Sequence, residues 1–174
     1  MKMLLETERL LITEFTTDDA AFILKLVNSP AWLQYIGDRQ IHTLVDAKQY
    51  LLNGPIKGYR QAGFGFWKIM LKNTSSAIGM CGFVKRDYLE DTDIGYALLP
   101  GFEGCGYAYE AAAACLAYGG QVLQLGRVAA IVQPGNTRSI QLLKKLGLHF
   151  QHVIIVPDSG QELQLFNADL QLHQ

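Results

Sequence analysis

The clearest chemical signal in the sequence is a glycine-rich turn, residues 101–106, that precedes an alanine-rich segment. Gly104 and Gly106 stand two residues apart, which lets the backbone bend tightly and come close to a ligand. A helix that begins directly after such a turn leaves its first N–H groups free, and these groups carry a partial positive charge. The pattern therefore predicts a turn that binds phosphate oxygens.

The residues after the turn restrict which phosphate ligand is meant. A P-loop requires Gly-Lys-Ser/Thr, whereas Tyr107 and Ala108 follow Gly106. A dinucleotide fingerprint requires a third small residue where Tyr109 stands. Both nucleotide interpretations are weak, and from the glycines alone a tight connection that binds nothing stays equally open.

Around this turn, apolar periodicity predicts an α/β (α+β) domain with elements in the order βααβββαβαββ. Two helices follow the first strand, with Thr17 and Thr43 as expected N-caps. A third helix starts after the glycine turn and a fourth covers 136–146. The expected strands are 8–15, 63–71, 77–84, 93–99, 127–133, 148–157 and 162–170.

Length and composition predict one globular domain over residues 1–174. The chain has 49% hydrophobic residues and a net charge of -1, without repeats or a linker rich in Pro or Ser. No apolar run is long enough for a membrane span, and Glu6 and Glu8 interrupt the amino terminus before a signal peptide could form. We therefore expect a cytoplasmic protein that does not bind membranes. Because no stripe of Lys and Arg is present, nucleic acid is not expected as a partner.

Neither the cysteines nor the histidines have the spacing of a metal site. Three cysteines occur without a CxxC pair, which also argues against a disulfide framework. The sequence therefore predicts no metal ligand. The histidines are His42, His149, His152 and His173.

Several motifs in a fixed order indicate a family. These are Asp93-Ile94-Gly95-Tyr96-Ala97-Leu98-Leu99-Pro100, Gly104-x-Gly106-Tyr107-Ala108-x-Glu110-Ala111, Asn136-x-x-Ser139 and Leu142-Leu143-x-x-Leu146-Gly147. Together they resemble the GCN5-related N-acetyltransferase (GNAT) superfamily, and within it the RimJ/RimL-like group. Thr7-Glu8-Arg9-Leu10 and Gly79-Met80-Cys81-Gly82-Phe83 extend the resemblance over nearly the whole chain.

The resemblance implies a mixed, mostly antiparallel central sheet, flanked by helices, that splays between the strand ending near Leu99 and the strand beginning near Arg127. It implies that acetyl-CoA enters this split as cosubstrate. Backbone groups of Leu98 and Leu99 would pair with the pantetheine arm, and Asn136 would touch the cofactor. The N–H groups expected to hold the pyrophosphate are those of Phe102, Glu103, Gly104, Cys105, Gly106, Tyr107 and Ala108.

Two positions depart from the family pattern. Gly101 stands where the family often has Gln or Arg, and Glu103 stands where it often has Trp, Gln or Arg. A carboxylate beside a pyrophosphate is repulsive unless it points to solvent. Because the remaining contacts come from the main chain, weaker cofactor binding is expected, not its loss.

Direct acetyl transfer requires a proton acceptor for the attacking amine and hydrogen-bond donors for the thioester oxygen. Asp93 is the candidate base, because related sequences often carry Glu at this position. A solvated carboxylate at a strand start is an equally good interpretation, and Glu90, Asp91, His42 or a water relay are alternatives. A main-chain N–H near Leu99 is the candidate oxyanion donor.

The departing thiolate requires a donor as well. Many superfamily members use a Tyr where this chain has Leu143, so the resemblance suggests Ser139 on the same helix as a substitute. A Ser that bonds a carbonyl one turn back is the alternative, and Asn136 has an ordinary use as N-cap. The aromatics of the presumed cleft are attributed to packing: Tyr96, Phe102, Tyr107 and Tyr109.

The function predicted from these residues is N-acetylation of a protein α-amine or of a small amine, by a monomer or homodimer. The acceptor would bind between residues 30–62 and the hairpin 148–170. An acetyl-enzyme on Cys105 is disfavoured because no histidine stands near it in sequence. A non-catalytic acyl-CoA-binding module and a nucleotide-binding regulatory domain remain as alternatives.

Overall fold

The computed structural model describes residues 2–171, and its centre is one sheet of eight strands. The strands are β1 (Met3–Glu6), β2 (Leu10–Thr13), β3 (Phe66–Leu71), β4 (Ala77–Val84), β5 (Thr92–Leu98), β6 (Arg127–Val132), β7 (His149–Ile155) and β8 (Glu162–Asp169). They lie in the order β1-β2-β3-β4-β5-β6-β8-β7, and every pair is antiparallel except β5 with β6. The predicted α/β class, with a mixed and mostly antiparallel sheet, is confirmed.

Helices cover both faces of this sheet. They are α1 (Ala20–Val27), α2 (Pro30–Tyr35), α3 (Leu44–Asn53), α4 (Pro55–Gln61), α5 (Tyr107–Gln121) and α6 (Thr137–Lys145). One core joins the sheet to α5 and α6 through residues such as Trp67 and Leu143. A second core joins it to α1, α2 and α3 through residues such as Ile23 and Leu51. Because both faces are covered, the middle of β3 is buried on both sides.

The amino-terminal region departs from the prediction. The expected strand 8–15 is the shorter β2, and β1 pairs with it as an additional antiparallel strand. Thr7 ends that pairing, because its hydroxyl and its backbone N–H both bond within a turn that closes at Leu10. Thr16, not Thr17, caps the following helical turn, in a capping box with Asp19.

Two helices were also missed between α1 and β3. Both α2 and α4 begin with a proline at the first helical position, Pro30 and Pro55, where the missing N–H costs nothing. The predicted stop after α3 is right, but Pro55 also starts the next helix. The cap of α3 is confirmed, since Thr43 and Asp46 form a capping box.

Candidate active site

The two parallel strands β5 and β6 part soon after they meet. They pair only at Thr92–Val128 and Asp93–Ala129, whereas β5 stays paired with β4 as far as Leu98. Beyond Asp93 the second edge of β5 is therefore open, and we call this opening the split. Its closed end lies at Asp93 and its open end leads to the glycine turn.

Main-chain geometry corrects the predicted role of Leu99. Its N–H donates to the carbonyl of Ile78 on the β4 side (2.7 Å), and its carbonyl accepts from Phe102 N–H (3.2 Å). Neither Leu99 nor the Phe102 amide is therefore free to donate to a ligand. Because successive peptide groups of a strand alternate in direction, the groups of Leu98 and Tyr96 face the split instead.

The glycine turn leads into α5 with free amides. Gly104 and Gly106 have φ of +74° and +82°, left-handed values that favour glycine. Gly106 is the N-cap of α5 and no side chain satisfies the first turn. The first helical bond runs from Glu110 N–H to the Gly106 carbonyl (3.0 Å), so the N–H groups of residues 107–109 precede the hydrogen-bonded ladder. This arrangement suits a diphosphate.

An ion pair holds this turn from behind. The Glu110 carboxylate accepts bonds from the Thr7 hydroxyl (2.6 Å), from Arg9 N–H (2.8 Å) and from Arg9 Nε (2.7 Å). Arg9 Nη1 also donates to the Cys105 carbonyl (2.9 Å), and its guanidinium lies over the Tyr107 ring at 4.5 Å from the centroid. Sequence reasoning missed this link, although Thr7-Glu8-Arg9-Leu10 and Glu110 both belong to the motifs that carried the resemblance.

Asp93 lies buried at the closed end of the split, with 2% of its surface exposed. Its Oδ2 accepts from Arg86 Nε (2.7 Å), while Oδ1 makes no hydrogen bond within residues 2–171. Burial raises the pKa of Asp93 to about 6, although the charge and hydrogen bond of Arg86 and the nearby Ile131 N–H act in the opposite direction. The interpretation as a solvated carboxylate is therefore wrong.

Ser139 lies on α6, opposite β5. Its hydroxyl is 2.7 Å from the Tyr96 hydroxyl, and its N–H donates to Asn136 Oδ1 (3.2 Å). Asn136 is thus an N-cap, and its side-chain oxygen is engaged by the helix. Leu143 is buried in the core and offers no polar group. Tyr96, which the sequence assigned to packing, is the unforeseen polar partner of Ser139.

Comparison with known proteins agrees with this geometry. The profile of the family described as acetyltransferase (GNAT) domain matches residues 9–149, most of the chain. The chain belongs to the GNAT family. It is therefore an acetyl-CoA-dependent acyltransferase, as the sequence motifs predicted.

Relatives of this GNAT domain include two Bacillus subtilis proteins. The uncharacterized N-acetyltransferase YnaD is 32% identical over 84% of the chain and 82% of YnaD. The uncharacterized protein YkkB is 40% identical, and the match spans 56% of each protein.

Solved structures share its fold. An acetyltransferase from Agrobacterium tumefaciens superposes with a TM-score of 0.80 at 25% identity, over 98% of this chain and 94% of that protein. RimL, a ribosomal L7/L12 α-N-protein acetyltransferase in complex with coenzyme A, superposes with a TM-score of 0.84 at 13% identity. The match covers 99% of this chain and 100% of RimL. SpeG, a spermidine N-acetyltransferase from Vibrio cholerae, superposes with a TM-score of 0.71 at 15% identity. The match covers 94% of this chain and 95% of SpeG.

The unusual Glu103 of this GNAT domain has a partner. Its carboxylate lies 3.3 Å from Arg138 Nη1 on α6, so the ion pair joins the glycine turn to the opposite wall of the split. The Arg138 side chain is 81% exposed. The pair partly neutralises the carboxylate that the sequence predicted to repel a pyrophosphate.

Two open cavities lie on the surface, and Arg86 lines the second of them. One, of about 450 Å³, is lined by residues of α3 and the segment before it, including Arg39 and Tyr50. The other, of about 530 Å³, lies between residues 84–88 and the tip of the β7–β8 hairpin at Pro157 and Asp158. Burial raises the pKa of Tyr50, while the positive charges of Arg39 and Arg86 oppose this shift. The second cavity therefore adjoins the Arg86–Asp93 pair through Arg86.

The weaker candidates lie elsewhere. Glu90 is exposed, Asp91 lies 3.6 Å from Arg127, and His42 is exposed beside Asp38. The Cys105 thiol is exposed and points to the Glu103 carbonyl (3.6 Å).

The structure describes residues 2–171, so His173 lies outside the described part of the chain. Among these residues, no three His, Cys, Asp or Glu side chains stand together as metal ligands would. Within the same range, none of the helices has the length and hydropathy to cross a bilayer.

Proposed function

We propose that this protein acetylates a primary amine, either a protein α-amine or a small amine, by direct attack of the amine on acetyl-CoA. The main support for this proposal is the position of Asp93, a buried carboxylate at the closed end of the split. One of its oxygens makes no hydrogen bond within residues 2–171. RimL and SpeG, which share the fold, act by their names on a protein amino terminus and on a polyamine. Both are amines, and the family membership supports this reaction class.

Asp93 serves as the proton acceptor. A base is effective when its pKa lies near the working pH, and a carboxyl pKa of about 6 satisfies this better than an ordinary value of 3.8. Arg86 holds Oδ2, so Oδ1 is the atom that receives the proton of the amine. Arg86 also keeps part of the carboxylate ionised in a site where burial alone would protonate it.

Main-chain groups hold the cosubstrate. The free amides at the start of α5 bind its diphosphate, and the peptide groups of Leu98 pair with its pantetheine arm. The Leu98 N–H faces the split and replaces that of Leu99 as the candidate donor to the thioester oxygen, whose charge grows during attack. Ser139 donates to the departing sulfur.

The acceptor amine approaches through these two cavities, of which the second is lined by Arg86. They are lined by residues 39–54, 84–88 and 157–158, which include parts of the two regions expected to bind the acceptor. Their charged residues have both signs, so amines of more than one kind fit.

The test measures release of free thiol from acetyl-CoA in the presence of a panel of amines, with acetyl-CoA binding followed by calorimetry. Wild type should bind acetyl-CoA and release thiol with at least one amine. Asp93→Asn should bind acetyl-CoA as tightly but react at least about 100-fold more slowly, the usual contribution of a general base. The matched control is Asp18→Asn, which changes an exposed carboxylate in the turn before α1.

Two outcomes would reject the proposal. Binding without thiol release would indicate a non-catalytic acyl-CoA-binding module. Full activity of Asp93→Asn would exclude Asp93 as the base and favour a water relay.

A further inference from the structure

A hydrogen bond joins the two walls of the split. Tyr96 lies on β5, beyond the last residue that pairs with β6, and Ser139 lies on α6. Their hydroxyl oxygens are 2.7 Å apart. The bond therefore lies where β5 and β6 have parted, between the proposed base and the glycine turn.

Tyr96 determines the orientation of the Ser139 side chain. Within the described part of the chain, the Ser139 hydroxyl bonds to Tyr96 and not to a carbonyl one turn back, which is the usual partner of a helical Ser. The backbone N–H of Ser139 is held separately by Asn136. Both the position and the hydroxyl direction of Ser139 are thus fixed by residues of this site.

Only one arrangement of the two hydroxyl protons leaves a free donor. If Ser139 donates to Tyr96, the Tyr96 proton can turn to the Ser139 carbonyl at 3.3 Å, and both protons are used within the pair. If Tyr96 donates to Ser139 Oγ, the Ser139 proton is free to point into the split. A negative charge in the split favours this second arrangement.

The acidity of Tyr96 decides between proton transfer and hydrogen bonding. Burial raises the pKa of Tyr96 to about 12, although the bond to Ser139 acts in the opposite direction. A simple thiol has a pKa of about 8.5, so moving the Tyr96 proton to a thiolate is strongly unfavourable. Tyr96 therefore stays protonated and acts by donating a hydrogen bond.

We propose that Tyr96 is a positioning residue for the leaving thiolate, which holds Ser139 so that its hydroxyl proton points at the sulfur of coenzyme A. The inference rests on the proposed function. During transfer the amine nitrogen bonds to the acetyl carbon and the carbon–sulfur bond breaks. Its electron pair stays on sulfur, where the Ser139 hydrogen bond stabilises it, and the proton lost by the amine goes to Asp93.

The first test requires no acceptor. Affinities of coenzyme A and of desulfo-coenzyme A, which lacks the thiol, are measured by calorimetry at about pH 7 and about pH 9, below and above the ordinary thiol pKa. In wild type the preference for coenzyme A should grow about tenfold between these values, the size of one hydrogen bond to a charged group. An effect of pH on the protein itself is common to both ligands and cancels in this comparison.

Tyr96→Phe and Ser139→Ala should each abolish this increase while leaving desulfo-coenzyme A affinity unchanged, which also shows that the variants fold. The matched control is Tyr118→Phe, which removes the hydroxyl of a tyrosine whose ring packs on Trp67. An increase that persists in Tyr96→Phe would overturn the proposal.

Kinetics supply the second test. Tyr96→Phe should lower kcat about tenfold with little change in the KM for acetyl-CoA, and the double variant should be no slower than Ser139→Ala alone. Additive losses would overturn the link between the two residues. If no amine were acetylated while the thiol preference behaved as expected, the proposed function would fail, and only the contact between Ser139, held by Tyr96, and the sulfur of coenzyme A would stand.

Discussion

Arg9 and Glu110 form an ion pair, with 2.7 Å between Arg9 Nε and Glu110 Oε2, that ties the start of β2 to the first turn of α5. Burial alone would raise the pKa of Glu110, but hydrogen bonds from Thr7 and Arg9 outweigh burial and lower this pKa. The carboxylate therefore stays ionised at neutral pH. Through the Cys105 carbonyl, Arg9 also fixes the glycine turn. The turn is thus held from outside the split, and its amides are left free.

Loss of this ion pair should weaken cosubstrate binding without slowing the chemical step. Arg9→Gln should raise the KM for acetyl-CoA several-fold and leave kcat within about twofold, because the turn loses its support but Asp93 and Ser139 do not move. Steady-state kinetics at varied acetyl-CoA measure both constants. Lys2→Gln, which breaks the exposed Lys2–Glu14 pair, is the control and should match wild type. An equal fall in kcat and kcat/KM would contradict this role.

Activity should depend on the ionisation of Asp93. Since its pKa is about 6, kcat/KM should fall as pH decreases through 6, where the base becomes protonated. Asp93→Asn should lose this acidic limb along with most of its activity. A pH–rate profile of wild type and variant checks both statements, and an unchanged limb in the variant would assign the titration to another group.

The free energy of unfolding should also depend on the ionisation of Asp93, but it should fall with rising pH, whereas activity rises. Native Asp93 keeps its proton up to about 6, whereas the unfolded chain releases it near 3.8, so the native state binds more protons in between. The contribution of Asp93 to stability is therefore fully present below the unfolded pKa of 3.8, and it is lost as pH rises through the native pKa of about 6. Urea unfolding at about pH 4 and about pH 7 should show this loss in wild type relative to Asp93→Asn. An equal change in the free energy of unfolding of both proteins between these pH values would contradict the raised pKa of Asp93.

Glu103→Gln should tighten acetyl-CoA binding. The change removes a negative charge from the glycine turn and releases Arg138 to meet the diphosphate, so a two- to threefold lower Kd is expected, about the size of an exposed ion-pair effect. Arg138→Gln should weaken binding by a similar factor, and added salt should reduce both effects. Calorimetry provides the values, with Glu162→Gln as an exposed control. Weaker binding by Glu103→Gln would show that the carboxylate helps to shape the turn.

Gly106→Val should impair cosubstrate binding by at least about tenfold, because a left-handed residue with a β-branched side chain is strained by more than 1 kcal/mol. The added Cβ would also lie 3.2 Å from Arg9 Nη2. Gly126→Ala is the matched control, since its added Cβ meets nothing within 4 Å and its φ is not positive. Normal binding by Gly106→Val would exclude this turn as the diphosphate site.

The sequence predicted those parts of the fold whose local signals agree. The Thr43–Asp46 capping box, the strand 77–84 and the glycine turn before α5 each depend on neighbouring residues, and all three are present. Strand β1 and helices α2 and α4 were missed, because four to seven residues carry too little periodicity and two of the signals were prolines. Tertiary packing decides such short elements.

The site was predictable only where single residues belong to motifs. Asp93, Ser139 and Gly106 were named as candidates in this way. Their partners are distant in sequence, and only the fold brings them together. Arg86 lies 7 residues from Asp93, and Tyr96 lies 43 residues from Ser139. Arg9 lies 101 residues from Glu110, and Arg138 lies 35 residues from Glu103. The free and engaged peptide groups at Leu98 and Leu99 follow from strand register, which a sequence does not display.

The sheet keeps two apolar cores apart, with α5 and α6 on one side and α1, α2 and α3 on the other. Phe102 of the glycine turn packs against both cores. Substitutions among residues 30–62 that spare this contact would leave the proposed diphosphate turn intact, so descendants of such a chain could acquire new acceptors while inheriting the same donor site.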